Sequence, residues 1–222
     1  MKLRAPPTSE DELFQRARLL AGRDLSWLAK RLDRAVPPDL RHDKGWIGHR
    51  MEEALGATAG NLAECDFPKL GIELKTLPTD ETGRVSQSTF VCSAPYDGGG
   101  GRHWESCWVR KKLHRVLWIP IVGGGAVGTR RIGTPLMWTP DKEEEDILSA
   151  DYAELARILH SGELDQISGK LGQALQLRPK AMRGDATTWM LDDAGEWARA
   201  MPRAWYLRAK FTRRMLEKAF EF

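Results

Sequence analysis

Residues 66 to 76 read Asp-Phe-Pro-Lys-Leu-Gly-Ile-Glu-Leu-Lys-Thr, and their alternation constrains the fold more than any other stretch of the chain. Leu70, Ile72 and Leu74 occupy every second position, so in a strand they turn to one face while Glu73 and Lys75 turn to the other. Asp66 stands at the strand's entrance. Two carboxylates and an ammonium are thereby offered to one surface.

Helical and extended segments surround this strand. Ser9 and Glu12 have the spacing of a capping box, and Leu13, Ala17, Leu20 and Ala21 recur at helical intervals until Gly22. A second short helix is expected from Leu25 to about Arg34, before Pro37 and Pro38. A third spans residues 45 to 55 and ends at Gly56, with Ile47, Met51 and Leu55 inward and Glu52 beside them. Residues 57 to 64 form a loop, Asp80 to Gly83 a turn, and Val85 to Ala94 a partner strand that makes a hairpin with the first.

The four glycines at 98 to 101 mark a flexible connection, so 95 to 102 is a candidate hinge within a single domain of residues 1 to 222. Trp104 to Leu113 has helical spacing, and Val116 to Val122 is a strand of the buried type. Extended chain follows from Arg131 to Pro140. Thr139 is placed to cap a helix with Pro140 at its first position, running to Gly162 with the acidic run 141 to 146 in its first turn. A strand at 174 to 178, a Gly/Asp/Thr-rich connection, extended chain near 205 to 211 and a basic helix complete the sequence.

With 34 Lys and Arg against 31 Asp and Glu, the net charge of +3 says little, but its distribution says more. Residues 110 to 115 read Arg-Lys-Lys-Leu-His-Arg, and the last stretch is rich in arginine, which suits a polyanion on part of the surface. Three cysteines at 65, 92 and 107, without a C-x-x-C pair, argue against a disulfide framework and fit a reducing cytoplasm. Neither a signal peptide nor a membrane anchor is recognisable: the longest apolar run, 116 to 122, is interrupted by Pro120 and too short to span a bilayer.

Phosphodiester hydrolysis by a metal ion needs hard oxygen ligands, which Asp66, Glu73 and the carbonyl of Leu74 can supply to Mg²⁺. Lys75, on the face of Glu73, can orient water and offset charge on the phosphate, and Glu52 can add a second ion or a water contact. The plain alternative is a solvated strand face, since Glu-x-Lys arises about once by chance in a chain of this size. Gly123 to Gly128 matches G-x-G-x-x-G, but no helix follows to receive a pyrophosphate, so it reads as a flexible loop. His103 and Cys107 are half a zinc site with no second pair. Most of the nine tryptophans read as core, and the basic cluster at 110 to 115, taken alone, as a solvated helix face.

Several segments together resemble the MutH family of DNA mismatch repair endonucleases, within the restriction-endonuclease-like superfamily. They are Asp43 to Gly48, Leu55 to Ala57, Asp66-Phe67 with Gly71 to Thr76, Thr89 to Cys92, Val116 to Pro120, Leu177 to Ala181, and Tyr206-Leu207. The resemblance covers nearly the whole chain. It implies a mixed α/β (α+β) fold, a restriction-endonuclease-like core with a mixed sheet flanked by helices, and two lobes clamping double-stranded DNA.

The implied activity is a Mg²⁺-dependent nick of the unmethylated strand at hemimethylated or unmethylated GATC, by a cytoplasmic monomer switched on by MutL with MutS and ATP. By position, Asp66 and Glu73 are similar to the metal ligands, Lys75 to the catalytic lysine, Glu52 to a further acidic residue and Lys112 to a second active-site lysine. Lys44 is similar to a DNA-contacting lysine. Arg178, Pro179 and Lys180 are similar to the segment that reads base edges, and Tyr206 to the sensor of adenine methylation. The superfamily's Pro-Asp is Cys65-Asp66 here, and the loops 98 to 101, 123 to 128 and 182 to 184 are particular to this chain. Two other readings remain: a GATC restriction-type endonuclease cutting both strands unaided, and a non-catalytic DNA-binding protein that reads methylation.

Overall fold

The computed structural model describes residues 5–41, 43–60, 62–97, 100–180, 187–192 and 194–220. The elements are α1 (Glu10–Arg18), α2 (Leu25–Leu32), α3 (Trp46–Leu55), β1 (Glu73–Thr79), β2 (Thr89–Ala94), α4 (Trp108–Leu113), β3 (Val116–Val122), β4 (Arg131–Ile132), β5 (Leu136–Trp138), α5 (Lys142–Ser161), β6 (Leu175–Pro179), β7 (Thr188–Leu191), β8 (Trp197–Ala200), β9 (Arg203–Leu207) and α6 (Ala209–Phe220). The chain divides into two compact units, Met1–Ser86 with Arg115–Thr139, and Gln87–His114 with Pro140–Phe222. Of the expected hinge, residues 95–97 and 100–102 are described and belong to the second unit.

In the first unit β3 is central, pairing in parallel with β1 and antiparallel with β4 and β5. Pro120 is tolerated there because it falls between the stretches that β5 and β4 cover. Its carbonyl instead accepts from Gly133 N–H at 2.8 Å. A Cβ on Gly133 would lie 2.9 Å from the Pro120 ring, so this close approach needs glycine. Helices α1 to α3 close the unit around one core that includes Leu13, Leu28, Met51, Ile72, Leu117 and Ile119.

Ser9 caps α1 as its spacing predicts, accepting from Glu12 N–H at 3.1 Å. The Glu12 carboxylate reaches past Ser9 to the Thr8 amide and hydroxyl, and α1 stops at Arg18, short of Gly22.

Three expectations are corrected in this region. The stretch 66 to 76 is not one strand: Phe67 and Ile72 bridge each other across a tight turn containing Leu70, and β1 begins at Glu73 and runs to Thr79. Pro68 removes an amide donor, and Gly71 adopts a left-handed backbone with φ +65°. The hairpin of 85 to 94 with the first strand does not form. Among the described residues the single bridge Thr79–Val85 is all that joins the two stretches, and β2 pairs with β9. The parallel partner of β1 is β3, which requires the long crossover of residues 80 to 115. The long helix is capped by Asp141 rather than Thr139, because Asp141 and Glu144 reciprocate side-chain and backbone bonds, while Thr139 accepts from Arg115 at 2.9 Å.

The second unit holds the antiparallel sheet β2-β9-β6, against which α5 packs. Tyr152 of α5 stacks on Trp205 at 4.8 Å and donates its hydroxyl to the Gly101 carbonyl at 2.6 Å. Residues 104 to 113 form a 3₁₀ turn and then the short α4, broken at Cys107, whose sulfur accepts from Arg110 N–H. The connection after β6 carries an unpredicted hairpin, β7 with β8.

Candidate functional site

The turn before β1 has a specific product. The Asp66 carboxylate accepts from Leu74 N–H at 2.7 Å, and the Asp66 carbonyl accepts from Thr58 N–H at 3.1 Å. One acid is thereby fastened to the strand residue beside the other acid, Glu73. Parallel pairing starts there, since Glu73 N–H donates to the Arg115 carbonyl at 3.0 Å.

Glu73 and Lys75 are only 5% and 8% exposed, with Lys75 Nζ 3.2 Å from Glu73 Oε1. These numbers decide against the solvated strand face. Charged residues are seldom buried unless paired, and desolvating each ion costs several kcal/mol that their mutual attraction only partly returns. Such a pair is poor value as a stabiliser and suits chemistry that needs a positioned charge in a low-dielectric setting.

Glu52 lies half-buried in the last turn of α3, the helix that packs against β1. Among the described residues no group of three or more His, Cys, Asp and Glu side chains is arranged to hold a metal. Asp66, bonded to the Leu74 amide, and Glu73 next to Leu74 in the chain offer two carboxylates. Hard oxygens from one or two carboxylates, with water completing the shell, are the usual protein contribution to a Mg²⁺ site, so these residues fit that ion. Lys112 belongs to the second unit, half-buried on α4. Lys44 is exposed in the turn that opens α3.

The three-stranded sheet brings the other residues together. Register places Tyr206 opposite both Gln176 and Phe90, and Arg178, two residues along β6 from Gln176, shares that face. The Arg178 guanidinium lies 5.4 Å from the Tyr206 ring. Lys180 Nζ sits 5.8 Å from the Phe90 ring and 3.0 Å from Ser93 Oγ. Phe90 and Tyr206 meet edge to face at 5.7 Å. Arg178 and Pro179 are exposed, and Pro179 is accommodated because β6 is an edge strand.

Sequence reasoning missed Phe90 as part of this group, although Thr89 to Cys92 was one of the segments carrying the resemblance. Its partial exposure, 42%, is unusual for phenylalanine on a paired strand. The loop 123 to 128 leads into a 3₁₀ turn and then β4, with no helix to receive a phosphate. His103 and Cys107 form no metal group among the described residues; burial raises the Cys107 thiol pKa. Ala181 to Ala186, and with them 182 to 184, lie outside the described residues. No described helix is long and apolar enough to cross a membrane.

The family model described as DNA mismatch repair enzyme MutH matches residues 55–151, a span containing Asp66, Glu73, Lys75 and Lys112. The DNA mismatch repair protein MutH of Serratia proteamaculans is 46% identical over 217 residues, covering 97% of this chain and 95% of its own. That of Vibrio parahaemolyticus is 46% identical over 220 residues, covering 98% and 97%. That of Vibrio cholerae is 44% identical over 220 residues, covering 98% and 100%. Identity at this level, sustained from end to end over a mixed α/β fold of the restriction-endonuclease-like kind, means that the chain belongs to the MutH family of DNA mismatch repair enzymes.

Proposed function

We propose that this protein nicks the unmethylated strand of double-stranded DNA at hemimethylated or unmethylated GATC sites by Mg²⁺-dependent phosphodiester hydrolysis, as a cytoplasmic monomer activated by MutL together with MutS and ATP. The observation that carries the chemistry is the buried Glu73–Lys75 pair with Asp66 fastened to the intervening Leu74 amide. Asp66 and Glu73 are the residues that would hold the ion. When bound, Mg²⁺ supplies positive charge at the scissile phosphate and acidifies the attacking water.

The chain's own groups do the rest. The hydrogen bond from Leu74 N–H fixes the Asp66 carboxylate before any ligand arrives, so little reorganisation is left for the reaction. Glu73 holds the Lys75 ammonium at 3.2 Å, from where it can orient water and offset charge developing on the phosphate. Burial strengthens that effect, because the same charge acts more strongly in a low-dielectric site than in water.

On the second sheet, Arg178, Pro179 and Lys180 are assigned to base reading, where an arginine can donate two bonds to guanine. Tyr206, braced by Phe90, is assigned to sensing the adenine N6 group. Lys44 and Lys112 are assigned to phosphate contact, and Glu52 to support of the metal site. The test is a nicking assay on unmethylated, hemimethylated and fully methylated GATC duplexes with Mg²⁺ and the activator. Rates should fall in that order, with the last nearly inert. Unassisted cutting of both strands would replace this reading with a restriction-type endonuclease. Tight binding without cleavage under any activation would replace it with a non-catalytic methylation reader.

A further inference from the structure

Away from the residues assigned above, the second unit contains a cavity of about 310 Å³ lined by four cations, Lys170, Arg208, Lys210 and Arg214, together with Gln173 and Phe211. None of the described residues that line it is acidic. Of these cations Arg214 is paired with Glu143 at 2.7 Å, while the Asp151 carboxylate is taken up by the amides of Gln173, Ala174 and Leu175 at 2.6 to 2.9 Å.

The wall is built rather than incidental. Asp151 holds residues 173 to 175 from one side, and Arg208 holds the preceding turn from the other by donating to the carbonyls of Gly169 and Leu171. Arg208 also opens α6, its carbonyl accepting from Phe211 and Thr212 N–H, so the positive end of a 12-residue helix adjoins the cavity. Arg208 Nε is buried without a hydrogen-bond partner.

We propose that this cavity is a phosphate-binding site, taking either a free phosphate group or a backbone phosphate of DNA. Phosphate supplies acceptor oxygens in several directions and its charge matches the lining. Arg208 directly follows β9, the strand that carries Tyr206. The phosphate site itself is independent of the nicking reaction; only its DNA form rests on the DNA-binding reading.

The experiment has two arms on the full chain and on the double variant Lys170→Gln/Lys210→Gln, both exposed positions whose change spares the Arg208 wall. Inorganic phosphate is titrated into ¹⁵N-labelled protein while the arginine Nε–H signals are followed. A saturable shift of Arg208 Nε–H, lost in the variant, is expected. Binding of a duplex lacking GATC is then measured against salt. If a duplex phosphate fills the cavity, the variant's slope of log K against log salt becomes shallower by about 1, the loss of one phosphate contact; if free phosphate is the ligand, the slope is unchanged. A shift that persists in the variant, or no shift together with no change of slope, overturns the proposal. Failure of the wild type to bind any duplex would count against the DNA-binding reading alone, since the phosphate titration is read separately.

Discussion

Separating the charges of Glu73 and Lys75 tests the reading of the site most directly. Both side chains are under a tenth exposed and 3.2 Å apart. Glu73→Leu leaves the Lys75 ammonium buried without this partner, and Lys75→Met does the same to the carboxylate. Breaking a buried pair from one side costs about 3–5 kcal/mol, which in a chain of this length lowers the melting temperature by on the order of 10 °C. The double variant removes both charges and keeps apolar volume, so it should regain most of the lost stability, in line with buried pairs whose apolar replacement is neutral or stabilising by about 1–4 kcal/mol. Urea denaturation followed by circular dichroism measures all three, and nicking of a hemimethylated GATC plasmid with Mg²⁺ and activator measures function. The expected result is a refolded but inert double variant. A double variant that nicks like wild type would refute the chemical role, and single variants costing under about 1 kcal/mol would refute the buried-pair argument.

Asp66→Asn keeps an acceptor for Leu74 N–H but loses the charge, so hydrogen-exchange protection of the Leu74 amide should survive while nicking is lost; Asp66→Ala should lose both. Tyr206→Phe removes only the hydroxyl and keeps the contact with Phe90. Its preference for unmethylated over fully methylated duplex should fall without loss of stability, as read by paired nicking rates. Burial, with help from Arg102, holds the His160 pKa below its ordinary 6.5. The unfolded chain therefore takes up this proton before the folded one, and the contribution of His160 to stability is complete above pH 6.5 and lost as pH falls below it. His160→Gln should flatten that part of the stability profile, measured by urea midpoints across the acid range.

Local patterns explain what was readable in advance. The cap at Ser9, the left-handed stop at Gly56 and the apolar run 116 to 122 each depend on neighbours a few residues away, and each appears where the sequence puts it. The pairing of β1 does not. A hairpin with 85 to 94 satisfied the alternation, but β3 supplies the parallel edge across the intervening residues 80 to 115, and nothing local encodes a crossover of that length. Local turn chemistry can also outrank an alternation: the 66 to 76 pattern looked continuous, yet Pro68 and Gly71 fold its first half into a turn. The tryptophans divide for the same reason. Trp46, Trp104, Trp118, Trp138 and Trp205 are buried as their apolar settings suggest, while Trp189 and Trp197 stand exposed on the hairpin that composition disguised as a connection.

For the site, the sequence by itself determined the inventory: Asp66, Glu73 and Lys75 in order, the alternation that sets the last two on one face, and the segments that mark the MutH family. Tertiary structure decided their state. It tied Asp66 to the Leu74 amide through a turn that the alternation concealed. It withdrew Glu73 and Lys75 from water, and it set Phe90 of one strand against Tyr206 of another 116 positions away. Spacing along a chain fixes which side chains share a face. Only packing around that face fixes how much water reaches them, and the strength of a charge at a phosphate depends on that.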